Sequence, residues 1–172
     1  EEVVFGYSVT LSLIDQQLID ACDDPTTTIE QIAALLEAGA NINTTDRSRW
    51  TPLMYAASKK ADPNVISFLL DAGANSTLRN TSNRPALLLA ATNNHLSVVI
   101  RILDAEQSGD QTDSNGNGIW HLMAMSDVEF ENSQTAFYSE QKEENAPMLM
   151  HELISRGIML DSLNNDGETA LM

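Results

Sequence analysis

Apolar residues along the chain fall into short helical segments that are separated by polar turns. One helix face is defined by apolar residues at the i, i+3, i+4 and i+7 positions, which are Ile29, Ile32, Ala33 and Leu36. Gly39 marks the end of this helix, because glycine readily adopts the left-handed conformation found at helix C-termini. Thr27 and Glu30 have the spacing of a capping box at its start. Residues 13–22 predict a preceding helix, so the two helices form a pair.

This helix pair recurs along the chain with a period of 34 residues. The segment LLEAGAN at residues 35–41 returns as LLDAGAN at residues 69–75, and the same step relates Ala56 and Ala57 to Ala90 and Ala91. Such a period is typical of units of two helices and a turn that stack on similar neighbours. Each unit buries its apolar face only against the next unit. The sequence therefore predicts an all-α solenoid with one long surface left free for binding.

All 172 residues are predicted to form a single repeat domain. The units span approximately residues 10–43, 44–76, 77–110 and 111–160, followed by a partial unit at residues 161–172. The fourth unit contains an acidic insertion at residues 126–146, which could fold back over the binding surface as a lid. Because the chain begins with Glu1 and ends inside a repeat, we expect it to be a fragment of a longer protein.

Two motifs resemble those of the ankyrin-repeat family. TPLMYAA at residues 51–57 and LLDAGA at residues 69–74 are similar to the family's T-P-L-H-x-A and L-L-x-x-G-A motifs. The resemblance implies antiparallel helix pairs linked by β-hairpin-like turns. It also implies that Arg49 occupies a turn position where later units have Asn83, Gly116 and Gly167. Because arginine adopts the left-handed region uncomfortably, we expect the second hairpin either to be distorted or to be held by its partner.

Charge is distributed unevenly along this chain of net charge −16. Residues 1–46 carry nine acidic residues and no Lys or Arg, whereas residues 47–84 carry six basic residues against two acidic ones. The resemblance implies that most of this basic band lies on the concave face beside Trp50. Tryptophan and arginine frequently dominate protein interfaces. The alternative is that Trp50 packs on its own hairpin and the arginines merely balance nearby carboxylates.

The resemblance further implies that a partner binds the hairpin tips and the ends of the first helices. This predicted surface comprises Arg47, Ser48, Trp50, Ser58, Lys59, Arg79, Thr81, Ser82, Arg84, Thr92, Asn93, Ser114, Asn115 and Asn117. We expect a non-catalytic module that binds another protein or a different domain of the same protein. One interpretation is that this module is the recognition domain of a bacterial effector or of another multidomain protein. The alternative is an acidic inhibitor or immunity-type protein that covers a basic enzyme or toxin.

Residues 113–118 satisfy the first six positions of a calcium-binding loop. The twelfth position requires a bidentate glutamate, but Ala124 stands there, so we expect an ordinary turn. The three histidines of the chain are His95, His121 and His151. Their spacing is not that of a zinc site. His95 and His121 are expected to make structural hydrogen bonds at turns, and His151 to lie on a helix surface. We therefore expect no metal and no cofactor.

The single cysteine, Cys22, lies where later units have alanine, so a packed and inert thiol is expected. No run of 18 apolar residues predicts a transmembrane helix. The large negative charge opposes binding to nucleic acid. The sequence thus predicts a cytoplasmic protein, or one delivered to a host cytosol, that acts on neither membranes nor small-molecule substrates.

Overall fold

The computed structural model describes residues 12–59, 62–93, 95–106, 109–128, 151–159 and 162–170. Its helices are α1 (Leu13–Asp23), α2 (Ile29–Glu37), α3 (Pro52–Ser58), α4 (Pro63–Asp71), α5 (Ala86–Thr92), α6 (Leu96–Glu106) and α7 (Ile119–Val128). Residues 151–155 are also helical. None of the described helices is long and apolar enough to cross a membrane.

The helices form two rows. In the first row α1 packs on α3, α3 on α5 and α5 on α7; in the second row α2 packs on α4 and α4 on α6. Three helices of the first row also pack on the helix that follows along the chain: α1 on α2, α3 on α4 and α5 on α6. The predicted single-file stack of helix pairs is therefore confirmed.

Small residues allow the first-row helices to approach each other closely. Ala56, Ala57, Ala90 and Ala91 are completely buried, and larger side chains such as Leu87 fill the remaining space between them. Burial of each large aliphatic side chain contributes roughly 1.5–3 kcal/mol. Because the alanine pair recurs with the 34-residue period, the second and third units offer their neighbours the same close-packing surface.

A helix begins most favourably after a residue whose side chain can accept a hydrogen bond from a free backbone N–H group of the first turn. The Thr51 hydroxyl accepts from the N–H of Met54 at 3.2 Å, and Pro85 gives α5 no side-chain cap. The capping box predicted from Thr27 and Glu30 is wrong by one residue. Instead the N–H of Thr28 donates to Gln31 Oε1 at 2.9 Å, because the chain turns into α2 only after Thr28.

The first and fourth units depart from the regular repeat. In the first unit α1 begins directly after Ser12, so a longer helix stands where later units have a turn. In the fourth unit residues 126–128, at the start of the predicted insertion, continue α7. The rest of the predicted insertion, residues 129–146, lies outside the described residues. Gly157, which follows the helical residues 151–155, has a φ of 76°.

Candidate protein-binding surface

Four turns share one hydrogen-bonding pattern. Three of them precede α3, α5 and α7, and the fourth spans residues 164–168. Each begins with an aspartate or asparagine whose Oδ1 accepts two backbone N–H groups: Asp46, Asn80, Asp113 and Asn164. Asp46 Oδ1, for example, accepts from Ser48 at 2.9 Å and from Trp50 at 2.8 Å. The backbone closes each turn, as the N–H of Asp46 donates to the Trp50 carbonyl at 3.1 Å. This pattern matches a three-residue hairpin loop.

The residue that ends each loop has a positive φ. The values are 60° for Arg49, 58° for Asn83, 78° for Gly116 and 77° for Gly167. The turn around Arg49 makes the same hydrogen bonds as the other turns, so of the two alternatives expected for it the distorted turn is wrong, and support by a partner stays a prediction. The turn itself holds Arg49 in the left-handed region.

Backbone hydrogen bonds connect neighbouring turns. The N–H of Thr81 donates to the Ser48 carbonyl at 3.0 Å, and the N–H of Asn165 donates to the Asn115 carbonyl at 2.9 Å. Both bonds join loop tips of consecutive units. The second and third tips are therefore joined to each other, as are the fourth and fifth, in the region where the predicted binding surface lies.

Arginine side chains connect the third and fourth turns. One terminal nitrogen of Arg79 donates to the carbonyls of Asn83 at 2.7 Å and Thr112 at 2.6 Å. Arg84 pairs with Asp113 at 3.4 Å, and the Asp113 side chain is only 2% exposed. Both guanidinium groups thus hold the stack together.

The other basic residues of the predicted surface differ in their contacts. Lys59 pairs with Asp23 at 3.2 Å across the α1–α3 contact, with both side chains largely exposed. Arg47 is exposed and has no hydrogen bond or ion pair with any residue that the structure describes. Internal pairing therefore accounts for Lys59 and Arg84, whereas Arg47 remains available to a partner.

Trp50 lies against Tyr55, an aromatic residue that the sequence analysis missed. The two ring centroids are 5.0 Å apart with an interplanar angle of 46°, a tilted geometry that aromatic pairs favour. The Tyr55 hydroxyl donates to Asp46 Oδ2 at 2.9 Å. The 34-residue period places Tyr55 at the position that Leu89 occupies in the next unit. The period could therefore have drawn attention to a tyrosine at a position that is aliphatic in the next unit.

Burial of the phenol raises the pKa of Tyr55 to about 12. The hydrogen bond to Asp46 and the negative charges of Asp46, Asp23 and Asp20 add to this increase. The carboxylates at the end of α1 are therefore close enough to Tyr55 to act on it. The basic turns consequently adjoin an acidic edge.

The ends of α3 and α5 contribute polar groups that also bind their own backbone. Asn93 Nδ2 donates to the carbonyls of Ser58 at 3.2 Å and Leu89 at 3.0 Å, and the Thr92 hydroxyl donates to the Leu88 carbonyl at 2.8 Å. The remaining predicted residues lie at the tips: Thr81, Ser82, Ser114 and Asn115 are exposed.

Asn117 differs from these tip residues because it is buried, with 4% exposure. Its Oδ1 accepts from Asn164 Nδ2 at 3.2 Å, so its side chain connects the fourth and fifth turns. The neighbouring Asp113 has both carboxylate oxygens engaged, Oδ1 by two turn N–H groups and Oδ2 by Arg84 and Asn117. Residues 113–118 therefore form a turn whose oxygens hold the backbone.

The remaining reactive side chains have structural environments. His121 is 4% exposed, with Nε2 at 3.0 Å from the Glu168 carbonyl and Nδ1 accepting from the N–H of Gly118 at 3.4 Å. His151 is exposed on its helix. Burial raises the pKa of Cys22 to about 12, so its reactive thiolate is strongly disfavoured. Among the described residues, no group of three or more His, Cys, Asp or Glu could hold a metal ion.

Comparison with known proteins agrees with this architecture. A family model described as ankyrin repeats (3 copies) matches residues 18–115. The chain therefore belongs to the ankyrin-repeat family, whose members are generally protein–protein interaction modules.

Similar curated proteins contain this region as a small part of their length. Protein lin-12 of Caenorhabditis elegans is 31% identical over 96 residues, which are 55% of this chain and 7% of that protein. Ankyrin repeat, SAM and basic leucine zipper domain-containing protein 1 of Mus musculus is 47% identical over 49 residues, 28% of this chain and 10% of that protein. The protein of that name from Nomascus leucogenys is 34% identical over 67 residues, 39% and 14% respectively.

Proposed function

We propose that this chain is a non-catalytic module that binds a protein partner through a contact surface centred on the second turn. The observation that carries the proposal is the arrangement of Trp50, which is only half-buried and is supported by Tyr55. Asp46 fixes Tyr55 through its hydroxyl and fixes the Trp50 backbone through its N–H. The exposed Arg47 adjoins this pair.

Such an arrangement lowers the cost of binding. An aromatic ring that is already held in one orientation loses little conformational freedom when a partner covers it, and ordering a free side chain would cost roughly 0.5–1.5 kcal/mol. The bond from Thr81 to the Ser48 carbonyl additionally fixes the backbone between Arg47 and Arg49. The exposed tips at Ser82 and Asn115 would supply the polar rim of the interface.

The proposal predicts that the double variant Trp50→Ala, Arg47→Glu loses partner capture while its helicity is unchanged. Helicity should persist because neither side chain belongs to the fully buried core. Affinity capture with the whole chain, followed by crosslinking and mass spectrometry, measures both the partner and the contacted face. Arg101→Glu is the control for the charge reversal, because Arg101 is exposed on α6 in the second row and donates to the Ser67 hydroxyl at 2.8 Å, away from the second turn. Capture at full strength by the double variant would remove this surface from consideration.

An acidic inhibitor that covers a basic protein is a second candidate, and the acidic edge beside Tyr55 favours it. Asp20 is exposed on α1 and the exposed Asp24 directly follows that helix, and the charge of Asp20 helps to raise the pKa of Tyr55. If this candidate is correct, Asp20→Lys with Asp24→Lys should abolish capture and Arg47→Glu should not. No feature of the described surface bears on the expected bacterial effector role, which stays a prediction.

A further inference from the structure

Arg49 occupies a backbone conformation that suits its side chain poorly. Its φ of 60° lies in the left-handed region, which is unfavourable for an ordinary L-residue because Cβ comes too close to the following carbonyl oxygen. The corresponding positions of later turns are occupied by Asn83, Gly116 and Gly167, residue types that tolerate this region. Arginine is therefore the costly choice at a position where the same chain uses cheaper ones.

The turn holds the Arg49 backbone through its N–H, but among the described residues no contact of the Arg49 side chain offsets this cost. Arg49 is exposed, and its guanidinium has no hydrogen bond or ion pair with any part of the chain that the structure describes. Arg79 and Arg84, in contrast, bind carbonyls and a carboxylate of the next turn. Strained residues without a structural role are expected where they serve binding.

Two unpaired guanidinium groups thus flank the tip of the second turn, at Arg47 and Arg49. Their only carboxylate within the turn, Asp46, already accepts from two N–H groups and from Tyr55. A guanidinium binds a carboxylate through two parallel hydrogen bonds. The turn therefore offers positive charge and free donors beside a supported Trp50.

We propose that Arg49 acts with Arg47 to bind the carboxylates of an acidic linear segment in the protein partner, next to Trp50. The proposal rests on the proposed function, since it specifies the chemistry of the partner at the same surface. A short acidic segment can approach despite the chain's net charge of −16, because charges farther away than about 8 Å are largely screened at physiological ionic strength. A long polyanion such as nucleic acid would extend into the acidic flanks and be opposed.

The test selects a random linear peptide library, displayed on phage, against the whole chain. The selected peptides should be enriched in Asp and Glu, and their affinity should fall as salt is raised. Arg49→Asn should weaken their binding by about 10-fold or more, the loss expected for a charge-assisted hydrogen bond. The same variant should raise Tm by roughly 2 °C, because asparagine relieves the backbone strain.

Opposite changes in stability and affinity exclude unfolding as the cause of weaker binding. Arg49→Lys retains the positive charge and should lose less affinity than Arg49→Asn. Arg101→Asn removes one positive charge from the opposite row of helices, so it controls for the change in net charge and should leave affinity unchanged.

Several outcomes would overturn the inference: no enriched peptide, enriched peptides without excess Asp and Glu, displacement by a single-stranded oligonucleotide, or unchanged affinity with Arg49→Asn. Trp50→Ala, measured with the same peptides, separates the two proposals. If Trp50→Ala abolishes binding and Arg49→Asn does not, the surface stands and the role of Arg49 is lost. If both variants bind like the wild type, both proposals fail.

Discussion

Asp113 tests how the turns are held, because its two possible roles predict different consequences of substitution. As an acceptor, its Oδ1 binds the N–H groups of Asn115 at 2.8 Å and Asn117 at 3.0 Å. As an anion, its Oδ2 pairs with Arg84 at 3.4 Å. Asp113→Ala removes both roles, whereas Asp113→Asn retains the acceptor and removes only the charge.

The magnitudes follow from burial. In Asp113→Ala the N–H of Asn117, a residue with 4% exposure, loses its acceptor, and an unsatisfied buried donor costs roughly 1–3 kcal/mol. The N–H of Asn115 is nearer to water and costs less. The ion pair adds about 0.5–1 kcal/mol, since the Arg84 side chain is 32% exposed. The total is about 2–4 kcal/mol for alanine, against about 0.5–1 kcal/mol for asparagine.

Asparagine should be tolerated because the third turn already uses it. Asn80 Oδ1 accepts from the N–H groups of Ser82 at 2.9 Å and Arg84 at 3.0 Å, the same pattern that Asp113 makes in the fourth turn. The chain therefore contains its own evidence that an amide oxygen can hold this type of turn without a negative charge.

Thermal unfolding followed by helical circular dichroism measures these differences. The alanine variant should lower Tm by roughly 4–16 °C and the asparagine variant by roughly 1–4 °C, using about 2–4 °C per kcal/mol. In an Arg84→Met background the cost of Asp113→Asn should disappear. Asp166→Ala is the control, because Asp166 is exposed at another loop tip. Equal destabilisation by alanine and asparagine would refute the acceptor role and make the charge decisive.

Three further predictions concern Tyr55, Cys22 and His121. The pKa of Tyr55 is raised from 10.0 to about 12, so the phenol loses its proton at lower pH in the unfolded state, and the free energy of unfolding should fall as pH rises between those values. Tyr55→Phe should flatten this decline in urea titrations at a series of pH values, and an unchanged slope would contradict the assignment. Cys22 should react with a thiol reagent only as fast as the stack opens, and immediate native labelling would show that it is accessible. His121→Ala should lower stability by about 2–3 kcal/mol because it removes the contact with the Glu168 carbonyl, and an unchanged Tm would exclude that role.

The helices and their stacking could be predicted from the sequence because repeat contacts are local. The 34-residue step between residues 35–41 and residues 69–75 fixes which helix follows which, and the apolar spacing around Ile32 fixes the face that each helix buries. A unit that packs only on its neighbours leaves few alternative arrangements. Cap positions were less certain, because Thr27 and Thr28 differ little as capping residues and Gln31 can replace Glu30 in a capping box.

The contacts of individual surface side chains could not be predicted in the same way. Trp50 and Arg84 are separated by 34 residues and occupy equivalent turn positions, yet Trp50 lies on Tyr55 of its own unit and Arg84 reaches Asp113 of the next. Periodicity specifies where a side chain starts, but its length and its neighbours decide where it ends. For that reason some residues of the basic band, such as Arg84, form ion pairs within the stack. Others, such as Arg47 and Arg49, have no side-chain partner among the described residues.

The repeated turn also explains how such a surface can vary without loss of the fold. An Asp or Asn side chain and backbone hydrogen bonds hold each turn, so the side chains at the tip contribute little to the stability of the fold. Of the four positions with positive φ at the loop ends, only Arg49 carries a long charged side chain. A residue type that tolerates positive φ occupies this position in three turns, whereas Arg49 occupies it in the second turn with no side-chain hydrogen bond or ion pair in the described part of the chain. This exception supports the proposal that the second turn serves binding rather than stability.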